Sequence, residues 1–468
     1  MIKRLTRTRK NFIDRDYLYE LSLSHEPDRA EIDGILNRAL KLKGLGLKDV
    51  SALLQIKGKE DMQKLFRTAN MIKQEIYGNR LVLFAPLYIG NVCSNNCLYC
   101  AFRKDNKTIK RINLSLPQIG EEVRSLLRQG HKRILMLCGE TDELPLDYFI
   151  SSIRTAYAVR ENEAYVRRIN IEIAPQDTES FAKLRREKIG TYVCFQETYD
   201  DVLYKKYHPS GIKADYEWRL SVMDRAMEGG IDDVGIGALF GLADYRFEVL
   251  SLMEHAAHLE KNFGCGPHTV SVPRIEPAEG VPFSRHIPHP VSDDDFKKIV
   301  AIIRIALPYT GIILSTRENE KVRTELFHYG ISQISAGSRT NPGAYSAKGG
   351  SDTGSQFSLG DHRSLDEVIS SLIDDGYIPS FCTGCYRKGR VGHDFMDLAK
   401  PGLIKEFCFP NAVFTFKEYL SDYASPSTRE KGLRLIDKLT LGIEKHSIKQ
   451  KMTEVLEKIE MGERDLYF

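Results

Sequence analysis

No apolar run in this 468-residue chain approaches the roughly 20 residues needed to cross a bilayer. The basic opening, MIKRLTRTRKNF, lacks the apolar centre of a secretory signal. A charge of one sign is missing too. With 67 Lys and Arg against 64 Asp and Glu the balance is +3, too even to imply a nucleic acid or a membrane surface as partner. No internal repeat stands out beyond a strand–helix unit. A disulfide framework is also absent, because the nine cysteines are odd in number and six of them fall into two compact sets. A reducing, cytoplasmic location is expected. The remaining composition, 42% hydrophobic and 28% charged, is that of an ordinary globular protein. Its length allows one large barrel with additions, or two to three ordinary domains.

The cysteines carry most of the information. Cys93, Cys97 and Cys100 form a CxxxCxxC set; Cys382 and Cys385 form a CxxC, followed after 22 residues by Cys408. Each set lacks the fourth ligand that a closed tetrahedral zinc site takes. A four-iron cubane held by three thiolates keeps one iron open to a small molecule. Two open sites on one chain point to chemistry at both. The competing readings are unrelated core cysteines or a zinc loop for the first set, and a Cys3His zinc site using His393 for the second. Cys138, Cys194 and Cys265 have no metal spacing and read as small buried hydrophobes.

Residues 1–80 read as a helical extension, with apolar spacings such as Ile32, Ile35, Leu36 and Leu40. Over 81–337, eight short apolar runs alternate with amphipathic stretches expected as helices near 117–130, 146–163, 178–189, 215–229, 246–263, 292–307 and 319–328. Such alternation means a parallel sheet. Eight units in this length fit a (β/α)8 barrel better than an open sheet, although periodicity cannot show closure. Residues 338–363, rich in Gly and Ser, read as a linker, and 364–468 as a C-terminal domain carrying the second cysteine set, mostly helical from about Phe416.

In a barrel of this kind the site lies where strands end. Cys93, Cys97 and Cys100 fall in the loop leaving the first strand. Gly139 and Glu140 end the second, and a carboxylate there suits a cation. Glu172 lies in the alternating run INIEIAP and points inward, so it needs either a ligand hydroxyl or a structural Arg. Glu197 ends the fourth strand, with His208, Pro209 and Arg219 beyond it. Gly235 and Gly237 either admit a ligand or bend the barrel. Ser315 and Arg317 close the seventh strand, where an arginine can grip a carboxylate in two-pronged fashion. A solvated loop position for Glu140, a surface helix position for Arg219 and a surface salt bridge for Arg317 are the plainer readings. His268 opens the sixth strand and so faces the opposite end, which ordinarily carries stability rather than chemistry.

CxxxCxxC with an aromatic, Tyr99, directly before the third cysteine resembles the radical SAM superfamily. That resemblance implies a [4Fe-4S] cluster on Cys93, Cys97 and Cys100 that binds S-adenosyl-L-methionine. It further implies cofactor contacts from Tyr99, Gly139, Glu140, Glu172, Glu197 and Arg219; the stretch from Glu197-Thr198 through His208-Pro209 to Arg219 is similar to that of related radical SAM maturases. Together with the second cysteine set, these residues resemble the tyrosine lyases of [FeFe]-hydrogenase maturation, over essentially the whole chain. The lyases of thiazole synthesis share the barrel but lack the second ligand set. The resemblance implies cleavage of L-tyrosine, its carboxylate held by Ser315 and Arg317, to p-cresol and dehydroglycine. Carbon monoxide and cyanide then form at a second [4Fe-4S] cluster on Cys382, Cys385 and Cys408, with His268 holding an additional iron. An electron donor and hydrogenase maturation partners follow from it. A lyase that stops at dehydroglycine (2-iminoacetate), with a merely structural second cluster, and a non-enzymatic iron–sulfur carrier remain open alternatives.

Overall fold

The eight apolar runs become parallel strands β1 (Arg80–Gly90), β2 (Arg133–Cys138), β3 (Arg168–Glu172), β4 (Tyr192–Val193), β5 (Val234–Gly237), β6 (Thr269–Ser271), β7 (Gly311–Leu314) and β8 (Gln333–Ser335). In the computed structural model, residues 11–347, 354–399, 404–443 and 445–468 are described. Residues 1–10 of the expected extension, 348–353 of the expected linker, and 400–403 and 444 of the C-terminal segment lie outside them. Closure is settled by β1, which pairs with β2 (Ala85 opposite Ile134) and with β8 (Val82 opposite Gln333). The strands therefore form a closed (β/α)8 barrel.

The connecting helices are Leu116–Arg128, Leu146–Ala158, Thr178–Arg186, Tyr245–Phe263, Asp293–Ala306 and Glu320–Tyr329. The stretch expected as one helix over 215–229 is two, Tyr216–Leu220 and Val222–Glu228, broken at Ser221 (φ −86°, ψ 11°). Their starts follow from the sequence. Ser115 and Gln118 form a capping box ahead of the first, and Ser292 caps a first turn holding Asp293, Asp294 and Asp295. Gly237 is explained by packing: a Cβ there would come within 2.8 Å of the Phe195 ring and 2.9 Å of the Ser271 carbonyl oxygen.

The N-terminal helices Arg15–Ser22, Arg29–Ala39, Leu47–Leu54 and Lys59–Tyr77 pack on the outside of the barrel. The last of them buries Lys73, whose Nζ donates to the Phe327 carbonyl at 2.8 Å. Tyr19 stacks on Phe247 at 4.2 Å between ring centroids and donates its hydroxyl hydrogen to Asp200, just beyond β4.

The C-terminal segment is built into the sheet. Its strand β9 (Ile378–Ser380) runs parallel to β1, with Arg80 opposite Ile378. Val82 pairs with β8 and β9 together, so β9 lies on the β2 side of β1, in line below β2 at the barrel bottom. Beyond it come helices Gly384–Arg387, Gly392–Ala399, Ile404–Asp422, Pro426–Leu441 and His446–Glu460. Helix Ile404–Asp422 starts well before Phe416 and continues through Pro410, a residue that ordinarily argues against a helix interior. Among the described residues no helix is long and apolar enough to cross a membrane.

Candidate functional site

The strand ends at the barrel mouth line a cavity of about 900 Å³, part of it open to solvent. It is lined by Cys93, Cys97 and Cys100 after β1, and by Gly139 and Glu140 after β2. Glu172, Glu197, Arg219 and Arg317 complete the set drawn from the strand ends named above, and Tyr99 joins them. Ser315 does not line the cavity; its Oγ accepts the Arg317 backbone N–H at 3.4 Å.

The cysteine loop crosses the end of β2 closely. A Cβ on Gly139 would stand 2.3 Å from the Val92 carbonyl oxygen, so no side chain fits there. The Ser94 N–H donates to the Glu140 carbonyl at 2.8 Å and fixes the crossing. Burial pushes all three thiols up, Cys93 to about 11, with the neighbouring thiols adding to the rise at Cys93 and Cys97. Lys213 opposes that rise at Cys97 and Cys100. Among the described residues, no three His, Cys, Asp or Glu side chains converge on a point as a bare metal ion requires. Three thiols around a cavity suit a wider group such as a cluster, and since only thiolates ligate, loading one releases protons.

Beside the thiols lies a paired charge network. Arg219 donates from Nη1 to Glu140 Oε1 at 2.9 Å and from Nε to the Phe195 carbonyl at 2.6 Å. Lys213 bonds Glu197 and stands 3.9 Å from Glu140. Burial alone would raise both carboxyls, but Arg219 and Lys213 outweigh it and hold Glu140 and Glu197 below the usual range. Asn95 adds a donor to Glu140 at 3.2 Å. Glu197 sits at φ +70°, a left-handed conformation that costs an ordinary residue about 1–3 kcal/mol. Its carbonyl accepts the Leu239 N–H at 2.7 Å, and Thr198 next to it bonds the buried Glu248. The Tyr99 hydroxyl meets His208 Nε2 at 2.8 Å, while His208 Nδ1 meets the Tyr204 carbonyl at 2.8 Å. His208 therefore stands behind the Tyr99 ring.

Glu172, Glu276 and Arg317 differ from this network. Among the described residues their charged groups have no hydrogen-bond or ion-pair partner, yet all three line the cavity. Burial, then Glu197, pushes Glu172 up to about 7; burial, then Glu318, pushes Glu276 up to about 7. Arg317 lies 3.3 Å from the centroid of the Phe357 ring.

Residues 338–347 and 354–363 lie across this mouth. Gln356 accepts from the Tyr88 hydroxyl at 2.7 Å and donates to Cys100 Sγ at 3.8 Å. The buried pair Arg323–Asp361, at 2.9 Å, ties the stretch down.

A second cavity of about 570 Å³ lies at the barrel bottom, lined by Cys382, Cys385, Cys408 and His268 with Arg80 and Arg133. β9 delivers Cys382 there, and Arg133 at the start of β2 holds the Cys382 carbonyl at 2.7 Å. Cys385 and Cys408 share a hydrogen bond that favours the thiolate on Cys408, with Arg80 and Arg390 adding to it. His268 Nε2 meets the Tyr386 hydroxyl at 2.7 Å, and its Nδ1 faces Asp233 at 3.4 Å. Burial lowers its pKa against the opposing pull of Asp233, and Arg168, Arg133 and Arg80 add to the lowering, which favours the neutral imidazole. A neutral imidazole backed by a carboxylate is the arrangement that orients a metal-binding histidine. His393 does not line this cavity; it is exposed and paired with Asp397 at 3.1 Å. Nε of both Arg80 and Arg133 is buried without a hydrogen bond, which suits an anionic group among the thiols.

Sequence reasoning missed Lys213, Glu276, Gln356 and Phe357 above, and Arg80, Arg133 and Tyr386 below. Glu276 had a usable signal: it follows the apolar run HTVSVPRI as Glu140 and Glu197 follow theirs. Lys213 lies between His208 and Arg219, both already singled out. Cys138 and Cys194, expected as plain core, also line the upper cavity, and Cys265 packs with Phe395 and Cys408 beside the lower one.

Comparison with known proteins agrees with this architecture. The profile of the radical SAM superfamily matches residues 87–255, and that of the biotin and thiamin synthesis associated domain matches 271–378. The chain is 31% identical over 352 residues to 2-iminoacetate synthase of Salmonella typhimurium (strain LT2), covering 74% of this chain and 89% of that protein. It superposes on a crystal structure of HydG, a maturase of the [FeFe]-hydrogenase, with a TM-score of 0.95 at 44% identity, over 98% of this chain and 100% of that one. The HydG of Carboxydothermus hydrogenoformans gives a TM-score of 0.83 at 41% identity, over 95% and 98%.

Proposed function

The chain belongs to the radical SAM family that includes 2-iminoacetate synthase and the HydG maturases, and from that premise we propose that it cleaves L-tyrosine to p-cresol and dehydroglycine and goes on to release carbon monoxide and cyanide for assembly of the [FeFe]-hydrogenase active site. The observation that carries the reading is the pair of three-thiol cavities at opposite ends of one barrel. Membership of the family implies a [4Fe-4S] cluster and S-adenosyl-L-methionine, which together supply a 5′-deoxyadenosyl radical.

Cys93, Cys97 and Cys100 are the proposed ligands of that cluster. Glu140 is proposed to take the cofactor's ammonium, and Arg219 with Lys213 its carboxylate. With Glu197 these three groups already neutralise one another, so the cofactor exchanges partners within a charged site rather than opening a new one. Glu197 joins that set, Glu172 is assigned to the ribose, and Tyr99 and Gly139 shape the pocket. Arg317, with Ser315 bracing its backbone, is assigned to the tyrosine carboxylate, because its planar fork is the unpaired cation of the cavity. Phe357 and Gln356 cover the site and exclude water. Below, Cys382, Cys385 and Cys408 are assigned to a second [4Fe-4S] cluster and His268 to an additional iron. The division into 1–80, 81–337, 338–363 and 364–468 is kept as functional parts, although β9 stitches the last into the barrel. An electron donor, maturation partners and a cytoplasmic setting belong to the same proposal.

A Cys385→Ser protein, reconstituted anaerobically and assayed for p-cresol and carbon monoxide together, tests it. Carbon monoxide lost while p-cresol persists supports two separable steps. Equal loss of both in a folded protein refutes a chemical role for the lower cavity.

A further inference from the structure

The charged groups of the upper cavity divide into two populations. Glu140, Glu197, Lys213 and Arg219 are paired among themselves. Glu172, Glu276 and Arg317 are open to the cavity with no hydrogen-bond or ion-pair partner among the described residues, Arg317 resting on the Phe357 ring. A cavity that keeps two carboxylates and a guanidinium half-buried and unpaired is built for ligands that bring the missing charges, since such groups are otherwise costly to hold.

Charge neighbours separate the two free carboxylates. Glu172 feels Glu197 first, then Lys213 and Arg219, and Arg317 only after them, which places it toward the cofactor end. Glu276 feels Glu318 first, then Arg317 and Arg274, which places it beside the substrate arginine. Arg317 in turn feels Tyr88 and Glu197 first, then Glu276, and Glu172 last.

The two strand ends carrying Glu276 and Arg317 are braced together. Arg274, two residues before Glu276, meets Glu318, one residue after Arg317, in a two-pronged pair whose Nε–Oε1 arm is 2.9 Å. Arg274 is further held by the Val291 carbonyl and by Asp293, each at 2.9 Å. Because Arg274 and Glu318 satisfy each other, Glu276 and Arg317 are left facing the cavity rather than being drawn into that pair.

We propose that Glu276 binds the ammonium group of the amino-acid substrate and, with Arg317 on its carboxylate, forms a two-sided clamp selecting an α-amino acid over the corresponding deaminated acid. This deepens the lyase reading and rests on it for the identity of the side chain held. A carboxylate and a guanidinium at adjacent strand ends match the two charges that every α-amino acid carries on one carbon. The clamp grips only that common part and leaves the phenol ring to the rest of the cavity.

Two ligands differing only in the amine provide the test: L-tyrosine and 3-(4-hydroxyphenyl)propanoate. Binding of each to the reconstituted enzyme, with S-adenosyl-L-methionine present and the cluster left oxidised, is measured by calorimetry for the wild type and for Glu276→Gln. Glu276→Gln should weaken tyrosine at least about 30-fold and the deaminated acid less than about threefold, since removing one partner of a desolvated charge pair chiefly costs the group left unpaired. Arg317→Lys should weaken both ligands. Retained binding of the deaminated acid shows that the variant's site is intact. Equal weakening of the two ligands, unchanged tyrosine affinity, or wild type that does not prefer tyrosine overturns the clamp. Failure of the lyase reading has a different signature: tyrosine binds the wild type, but reduction yields no p-cresol.

Discussion

Asp361→Asn provides a sharp test of how the mouth of the barrel is kept closed. In the native protein Asp361 and Arg323 form an ion pair of 2.9 Å with side-chain exposures of 1% and 0%. Arg363 donates to the same carboxylate from Nη2 at 2.7 Å. Burial lowers the Arg323 pKa, while Asp361 acts to raise it; the substitution removes the negative charge and leaves one amide oxygen for Arg323 and Arg363 to share, beside the Ser335 carbonyl at 2.7 Å from Arg323. Stranding one partner of a buried pair costs about 3–5 kcal/mol. The cost falls on the stretch that Asp361 anchors. There the Gln356 N–H bonds the Thr340 carbonyl at 3.0 Å, the Ser358 N–H bonds Pro277 at 2.8 Å, and the Gly360 N–H bonds Thr316 at 2.9 Å. At the lower figure of about 3 kcal/mol, opening of this stretch becomes about 100-fold more frequent. Hydrogen exchange at these three amides should accelerate by that factor, and tyrosine affinity should fall as Phe357 leaves Arg317. Unchanged exchange there, alongside faster exchange in β7 and β8, would refute the argument and make the pair a brace of the barrel wall.

Cys97→Ala should abolish 5′-deoxyadenosine formation, since two thiolates cannot hold a cubane with one open iron; wild-type production would remove this set from the radical site. His268→Ala, after reconstitution and iron counting, should bind one iron fewer at the lower cavity while p-cresol is still formed; full iron content would make the histidine structural. Glu248 is buried, and that burial pushes its carboxyl up to about 8. A raised carboxyl adds stability that is fully present below its unfolded pKa, near 4.3, and is lost as pH rises through the folded value. Glu248→Gln keeps one oxygen to accept the Tyr199 N–H and turns its amide nitrogen to the Thr198 hydroxyl, which then accepts; its melting temperature relative to wild type should rise between pH 5 and pH 9, and a pH-independent difference would argue against this titration.

The barrel strands were legible because their apolar runs are long or alternate cleanly, and the helices because Ser115 and Ser292 mark their starts. Closure was not legible, since pairing of β1 with β8 joins residues some 250 positions apart and leaves no local trace. β9 escaped notice because it is three residues long with Pro379 at its centre, a residue tolerated only because this strand is bonded along one edge. Helix Ile404–Asp422 hid behind Pro410. In the site, the cysteines announced themselves by spacing. Lys213 could not, because its role depends on a short helical turn bringing it between two carboxylates from other strand ends. Gln356 and Phe357 sit in a Gly- and Ser-rich stretch that reads as a connection, and only tertiary contacts make it a cover.

The in-line placement of β9 beneath β2 sets a timetable for biosynthesis. The lower half of the first stave is made near residue 80, yet its partner arrives only with residues 378–380. At typical elongation rates of about 5–20 residues per second, that edge waits tens of seconds on the ribosome. An unpaired strand edge is a template for pairing with other chains during such a wait. Cys408 emerges later still, so the lower cavity is assembled only after all eight barrel strands are out. The cluster proposed for that cavity would therefore be delivered to a finished barrel, whereas the upper thiols are made within the first hundred residues.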